Sequence, residues 1–597
     1  MRHPLACTHL AMTLLLCLGA TACGGGGSGG VASANAATAA ADNPTGGSGS
    51  GVETDSDSDT GDSSQRPDIE MLTGIQAASR LASRASFGLS YKDIQTTESL
   101  GEEAWLDQQI ATPASFHDGV VSELLVRQQN GEFDSLFPNG GGNNQQAFFG
   151  RIAWWHTTVS APDQLRQRVA YALSQIFVIS DEVTPLFVNP YATSNFYDML
   201  LRNAFGNFRD LLYDVTLHPS MGLYLSHLNN AKGDPETGTF PDENYAREVM
   251  QLFSIGLFEL NSDGTEILQD GMPVPTYDNT TIGEFAKVFT GLTYAGVVPR
   301  FGANRFNFRE PMAMVEEFHD TSEKVLLNGT ILSAGQDGIA DIEAAVDNLF
   351  QHQNVGPFIG KQLIQRLVSS NPSPAYVQRV AEAFADNGAG VRGDMAHVIK
   401  QVLLDPEARA LPETAVTATP LRGKLREPLL RYTAMLRQLG ITSADGFYAN
   451  TGFFVQERIQ QHALAAPSVF NFYLPAHQPV GEIAALGLVA PEFQITNTNS
   501  IIEISNLMQA AVIGDFNNDV REAPFSASTL SLDGLLDVAD DTQALLDRLD
   551  MLFTYGTLSA ASRANIETVA AGIEDPELRV RAAAFLLLIS PDYAVEL

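Results

Sequence analysis

Residues 164–180 read QLRQRVAYALSQIFVIS, and their spacing sets the fold class. Leu165, Val169, Leu173, Ile176 and Phe177 recur at intervals of three and four, the period of one face of an α-helix. Pro162 and Asp163 stand where such a helix begins. The same period extends along the chain. Phe208, Leu211, Leu212 and Val215 make a second apolar face, stopped by His218-Pro219. Val377, Val380 and Phe384 make another, ending near Asn387-Gly388. Val398, Ile399, Val402 and Leu403 follow, closed by Pro406, and Leu545, Leu546, Leu549 and Leu552 repeat the pattern near the end. The expected fold is all-α, a multi-helix array.

One stretch breaks the period. Leu257 to Leu260 and Thr265 to Leu268 flank Asn261-Ser262-Asp263-Gly264, and Asp270-Gly271 follows. Asp-Gly between short apolar runs marks a hairpin turn, and Pro273 and Pro275 keep the next residues extended. A small β-hairpin insertion is expected there. Gly140 to Asn144 and the Gly/Asn/Pro-rich patches near 232–241 and 300–311 read as loops.

The first residues read as a targeting segment. Arg2 and His3 precede an apolar run from Leu10 to Ala20, and the small residues Ala20-Thr21-Ala22 precede Cys23. The run is too short to span a bilayer, and the layout is that of a signal peptide over residues 1–22. Cys23 stands where a bacterial lipobox places its lipidated cysteine, although Ala20 occupies the position usually held by Leu. The same small residues suit ordinary cleavage, which would release a soluble product. Residues 23–66 are Gly, Ser, Ala, Thr and Asp with little that is large and apolar, so the expectation is a disordered linker. Asp55, Asp57 and Asp59 lack the glycine placement of a calcium loop. Residues 67–597 are then the body, long enough for two or three packed sub-units.

Composition excludes several function classes. The three cysteines, Cys7, Cys17 and Cys23, lie in or at the end of the leader, so the body holds no disulfide, thiol nucleophile or zinc–thiolate site. A formal net charge of -35 argues against nucleic acid and against an anionic lipid surface. A membrane would be reached through a lipid anchor only.

Several long segments carry a resemblance. They are QLRQRVAYALSQIFVIS from Gln164, PDENYAREVMQLFSIGLFELNSDGT from Pro241, AKVFTGL from Ala286, NVGPFIGKQLIQRLVSSNPSPAYVQRVAEAF from Asn354, GKLREPLLR from Gly423, APSVFNFYLP from Ala466 and SPDYAVEL at the close. In this order they resemble the bacterial domain-of-unknown-function family 1800, over roughly residues 70 to 597. The resemblance implies an exported or lipid-anchored, predominantly helical protein. It also implies a co-exported partner, since members are often encoded beside a secreted sulfatase-like protein. It implies no catalytic residues.

The sharpest local signal is Asp242-Glu243-Asn244-Tyr245-Ala246-Arg247-Glu248. Pro241 and two acids suit a helix start. Helical spacing puts Tyr245, Val249, Leu252 and Phe253 on a buried face and Glu243, Asn244, Arg247, Glu248 and Gln251 on the other. Asn244, Arg247 and Glu248 are therefore the first candidate site, with Glu248 as a base or cation ligand. The plainer reading has Glu243 and Arg247 as an i,i+4 ion pair on a solvated face, with Glu248 tied to a neighbouring helix. His319-Asp320, with Lys324, is the second compact acid–base cluster. Other histidines, including His218 and His227, lack the H-x-x-x-H spacing of two ligands on one helix, so neither a metal nor a cofactor is assigned. Asp515, Asn517 and Asp519 mimic calcium ligands, but Val520 replaces the needed glycine. Ser254 lacks the first glycine of a nucleophile elbow and falls in a predicted helix. Lys424, Arg426 and Arg431 with Glu427 read as a mixed-charge helix, and Lys361 with Arg366 as another. Their cations would serve internal ion pairs or bind an anion such as a sulfate or uronate.

Two functions follow. The leading one is an accessory or interaction protein of the cell envelope, an outer-membrane lipoprotein or a periplasmic or extracellular product, working with a co-exported partner. The other is an extracytoplasmic hydrolase or metal-dependent enzyme acting on a polymer or polar small molecule through the Asn244/Arg247/Glu248 face.

Overall fold

The computed structural model describes residues 71–133, 146–296, 301–302, 306–410, 423–448, 455–514 and 525–596. The leader, Cys23, the linker, Gly140 to Asn144 and the Asp515/Asn517/Asp519 segment lie outside the described residues.

Each apolar period of the sequence becomes a helix, and short polar side chains cap most of them. Phe208–Leu217 begins where Asn207 accepts a hydrogen bond from the Arg209 N–H. Ser373 caps Pro374–Ala385 through the Tyr376 N–H, Asp394 caps Met395–Leu404 through the His397 N–H, and Asp541 caps Thr542–Thr554. Each cap satisfies a donor that the first helical turn leaves free, a contribution of about 1 kcal/mol. Gln164–Ser174 is shorter than its apolar face. Its last turn tightens into i→i+3 bonds, with the Ile176 N–H donating to the Leu173 carbonyl at 2.9 Å. Ile176 and Phe177 stay buried beyond the helix end.

The apolar faces meet in one large core. Phe177 packs against Phe208 and Phe253 at ring separations of 6.1 and 5.5 Å. Trp154, Trp155 and Tyr171 extend the core toward Phe87 near the start of the described chain. Tyr593 closes it from the far end, its hydroxyl donating to the Arg431 carbonyl at 2.6 Å. Residues 67–597 form one compact unit around this core.

The β-hairpin stands where the Asp-Gly signal placed it. Leu268–Gln269 pairs antiparallel with Met272–Pro273. Between them Asp270 and Gly271 take φ of 53° and 80°, the doubly left-handed backbone of a type I′ turn. Further bridges join Leu260 to Glu266 and Phe258 to Pro275. Buried Asn354 clasps the root, donating to the Ile255 and Phe258 carbonyls and accepting from the Leu260 N–H. Four other small antiparallel pairs were not foreseen, among them Lys424–Leu425 with Val595–Glu596. Strands of two or three residues carry too little alternation to show in a sequence. That pairing corrects the reading of Lys424, Arg426 and Glu427 as a helix. Gly423 takes φ 120°, Lys424 lies in a strand, and the helix starts only at Pro428, as Pro428–Gln438.

Candidate functional site

Pro241, Asp242 and Glu243 precede the helix Asn244–Gln251. Asp242 accepts a hydrogen bond from the Asn244 N–H at 2.8 Å, so an acid sits at the positive end of the helix dipole. The apolar face buries Tyr245, Ala246, Val249 and Met250, and the Tyr245 hydroxyl meets the Thr216 hydroxyl at 2.8 Å. His227 stacks on the Tyr245 ring at 3.9 Å and Phe289 packs edge-on at 4.9 Å.

The polar face divides. Arg247 and Glu243 form an i,i+4 pair at 3.2 Å, with side chains 41% and 50% exposed. Such a pair contributes only a few tenths of a kcal/mol. Asn244 is exposed and donates to the Ser226 hydroxyl at 3.3 Å. Glu248 behaves differently. It is half-buried, and burial pushes its carboxyl above the usual range, with Arg247 pulling the other way. Its Oε2 is shielded from solvent and accepts no hydrogen bond from a described residue. Two phenols lie within electrostatic reach. Tyr224 ends the helix Pro219–Tyr224, and Tyr277 precedes the helix Asn279–Val288. Burial raises each to about 12, and the Glu248 charge adds to both shifts. The Tyr277 hydroxyl is also buried without a partner among described residues.

The loop behind the helix is held tightly. Ser226 and Asn229 take φ of 66° and 61°. Asn229 accepts from the Thr293 hydroxyl and the Gly302 N–H, while Asn230 exchanges hydrogen bonds with the Asp242 backbone. Left-handed backbone at non-glycine residues persists only where surrounding bonds impose it. His227 donates from Nε2 to the Thr216 carbonyl, which leaves Nδ1 as an acceptor with no donor among described residues. Burial pushes it down to about 4, so it is neutral near pH 7.

Asn244, Arg247 and Glu248 thus share one helix, but only Glu248 turns into the protein. Its neighbours Tyr224 and Tyr277 come from 24 residues before it and 29 residues after it, and no spacing rule connects them. The second candidate cluster is rearranged. His319 and Lys324 converge on Asp341, not on Asp320: His319 Nε2 lies 3.1 Å and Lys324 Nζ 2.6 Å from Asp341 Oδ2. All three side chains are sealed from solvent. Asp320 instead accepts from the Ser322 N–H and hydroxyl, and its carboxyl is held below its ordinary value by those bonds and by Lys324, against the opposing effect of burial. His319 and Asp320 part because adjacent residues in an extended chain point to opposite sides. Ser254 follows the helix instead of lying in it, and its buried hydroxyl is tied to the Val249 carbonyl. His218 caps Pro219–Tyr224 and is pushed down to about 3 by burial.

A cavity of about 430 Å³ is built by other elements, with Tyr91, Gln95, Asp533, Leu535 and Arg548 on its wall. Arg548 there stacks on Tyr91 at 4.0 Å and donates to the Gly534 carbonyl. Among the described residues no group of three or more His, Cys, Asp or Glu is placed to hold a metal ion. No described helix is long and apolar enough to cross a membrane.

The family model described as "Protein of unknown function (DUF1800)" matches residues 80–595, nearly the whole chain. No curated protein and no solved structure matches.

Proposed function

The chain belongs to the DUF1800 family, and from that premise we propose that it is an exported, lipid-anchored accessory protein that binds a co-exported partner through the surface around Glu248. The observation that carries this reading is the pairing of unsatisfied polar atoms with exposed apolar side chains on the elements that build the site. Glu248 Oε2 and the Tyr277 hydroxyl are shielded from water and unpaired among described residues, a condition that costs about 1–3 kcal/mol per group until a hydrogen-bonding partner arrives. Phe240 stands just before the site helix at 87% exposure. The hairpin leaves from Gly256 after that helix and returns at Tyr277, its feet clasped where the Thr276 hydroxyl donates to the Gly256 carbonyl. It carries Leu257, Leu268 and Met272 into solvent, Met272 at 69% exposure. Unsatisfied polar atoms together with exposed apolar side chains on adjoining segments of the chain have the composition of a protein-recognition surface. Cys23 would tether it, and the sulfatase-like proteins that accompany this family supply the partner.

A second reading rests on Glu248 itself. A carboxyl raised by burial, beside two phenols and an arginine, has the protonation behaviour of a general acid or base. Substitution separates the two readings. Glu248→Gln keeps the shape and hydrogen bonding of the neutral acid. Capture of the purified sulfatase-like partner by full-length protein should survive Glu248→Gln and fall at least tenfold in Met272→Asp. Unchanged capture by Met272→Asp would defeat the recognition reading. Turnover of a substrate that Glu248→Gln abolishes would establish the catalytic one. In the same cells Cys23→Ala should move the protein out of the membrane fraction.

A further inference from the structure

The Lys424–Leu425 strand, its partner Val595–Glu596 and the helix Gln164–Ser174 bring charges together inside the protein. Arg84, Arg168, Arg366, Lys424 and Arg426 are buried there with Glu427, Glu492 and Glu596. Of these buried groups five are cations and three are carboxylates, in a chain whose formal net charge is -35. The pairing is specific. Arg84 Nε holds Glu596 at 2.9 Å and Lys424 Nζ holds Glu492 at 3.2 Å. Glu427 Oε2 accepts from the Tyr171 hydroxyl at 2.7 Å and from the Gln175 amide at 2.6 Å, with Arg366 within electrostatic reach. Arg426 only shares Glu596, at 3.6 Å. Arg168 has no carboxylate of its own. Its Nη2 donates to the Arg366 carbonyl at 2.6 Å, and its Nε and Nη1 are buried without an acceptor among described residues.

Arg168, Lys424 and Arg426 line one small cavity of about 20 Å³, together with Glu596, Ser83 and Ser86. A water or an ion of similar size fills such a space. Sulfate and uronate, the anions suggested by the sequence, are too large for it. An isolated buried cation costs several kcal/mol unless a counter-charge stands beside it. Water would satisfy the orphaned Arg168 N–H groups but leave the excess charge. Gln438 Oε1, on the same wall and without a donor among described residues, favours water instead.

We propose that this cavity is a structural binding site for a single halide-sized anion, chloride in the cell envelope, held by the Arg168 N–H groups with Arg426 beside it. Lys424, whose ammonium is already bonded to the Gln365 and Arg366 carbonyls and to Glu492, only lines the wall. The ion offsets the surplus positive charge and ties the C-terminal strand to the helix Gln164–Ser174.

The test follows thermal unfolding of the full-length protein in sodium chloride, bromide or gluconate at constant ionic strength. Chloride and bromide should raise Tm by about 2 °C or more in a saturable way, relative to gluconate. Crystals grown in bromide should show an anomalous peak between Arg168, Lys424 and Arg426. Arg168→Gln should lose the halide dependence. Equal Tm in the three salts, a cavity without a bromide peak, or a wild-type halide response in Arg168→Gln would each overturn the proposal. If Arg168→Gln does not fold, the bromide map of the wild-type protein decides.

Discussion

Two acid-centred clusters in this molecule are built from similar parts and reach opposite conditions. Around Asp341, a histidine and a lysine converge on one carboxylate oxygen, and all three side chains are closed off from water. Around Glu248, the carboxyl accepts no hydrogen bond from a described residue, and its neighbours are two phenols whose own ionisation is suppressed. The first cluster spends one carboxylate oxygen, Asp341 Oδ2, on two donors and ties His319, Lys324 and the helix Gly338–Phe350 together, while Asp341 Oδ1 is buried without a partner among described residues. The second leaves Glu248 Oε2 and the Tyr277 hydroxyl unpaired among described residues, just beneath a half-exposed helix face. Burial of charged groups does not by itself mark function. What distinguishes the two is whether the chain has already placed side-chain donors on the carboxylate: Asp341 Oδ2 receives two, Glu248 receives none from a described residue.

Substitutions test this contrast, beginning with the sealed cluster. Asp341→Ala leaves Lys324 buried without its counter-charge and His319 Nε2 without its partner, and should cost about 3–5 kcal/mol in chemical denaturation. A loss below about 1 kcal/mol would mean that the cluster is open to water. Glu248→Gln should have a smaller and pH-dependent effect. The folded Glu248 carboxyl is raised above its ordinary 4.5, so the folded state holds its proton more tightly than the unfolded chain does. Wild-type stability therefore falls relative to Glu248→Gln as pH rises from about 4.5 through the folded value, and the difference is constant above it. Screening at a half-buried site keeps the gap to at most about 1 kcal/mol. A gap that widens on acidification would contradict the stated environment. Arg247→Ala, which breaks an exposed pair with Glu243, should change stability by less than about 0.5 kcal/mol. A larger loss would place Arg247 in the Glu248 cluster as a structural member.

Much of the scaffold was legible because helical periodicity is local. Phe208, Leu211, Leu212 and Val215 needed only their own spacing, and Asp270-Gly271 needed only the left-handed backbone that few other dipeptides adopt. The candidate site was half legible. Glu248 was visible as part of a charged helical face, and the Glu243–Arg247 pair was readable from i,i+4 spacing. Tyr224 and Tyr277 were not, since each is an ordinary tyrosine at the end of a segment. His319, Asp320 and Lys324 are a compact cluster in sequence, but the carboxylate that receives His319 and Lys324 is Asp341, from the helix Gly338–Phe350, which no local spacing connects to them.

The amino-acid order alone set the helical class, the place of the hairpin turn and the cysteine-free body, because each depends on short-range geometry or simple composition. Tertiary packing decided which carboxyl is sealed, which is left without a partner, and where cations outnumber acids in the interior. Those properties arise from groups far apart along the chain, and their energies depend on solvent exclusion that exists only once the helices have come together.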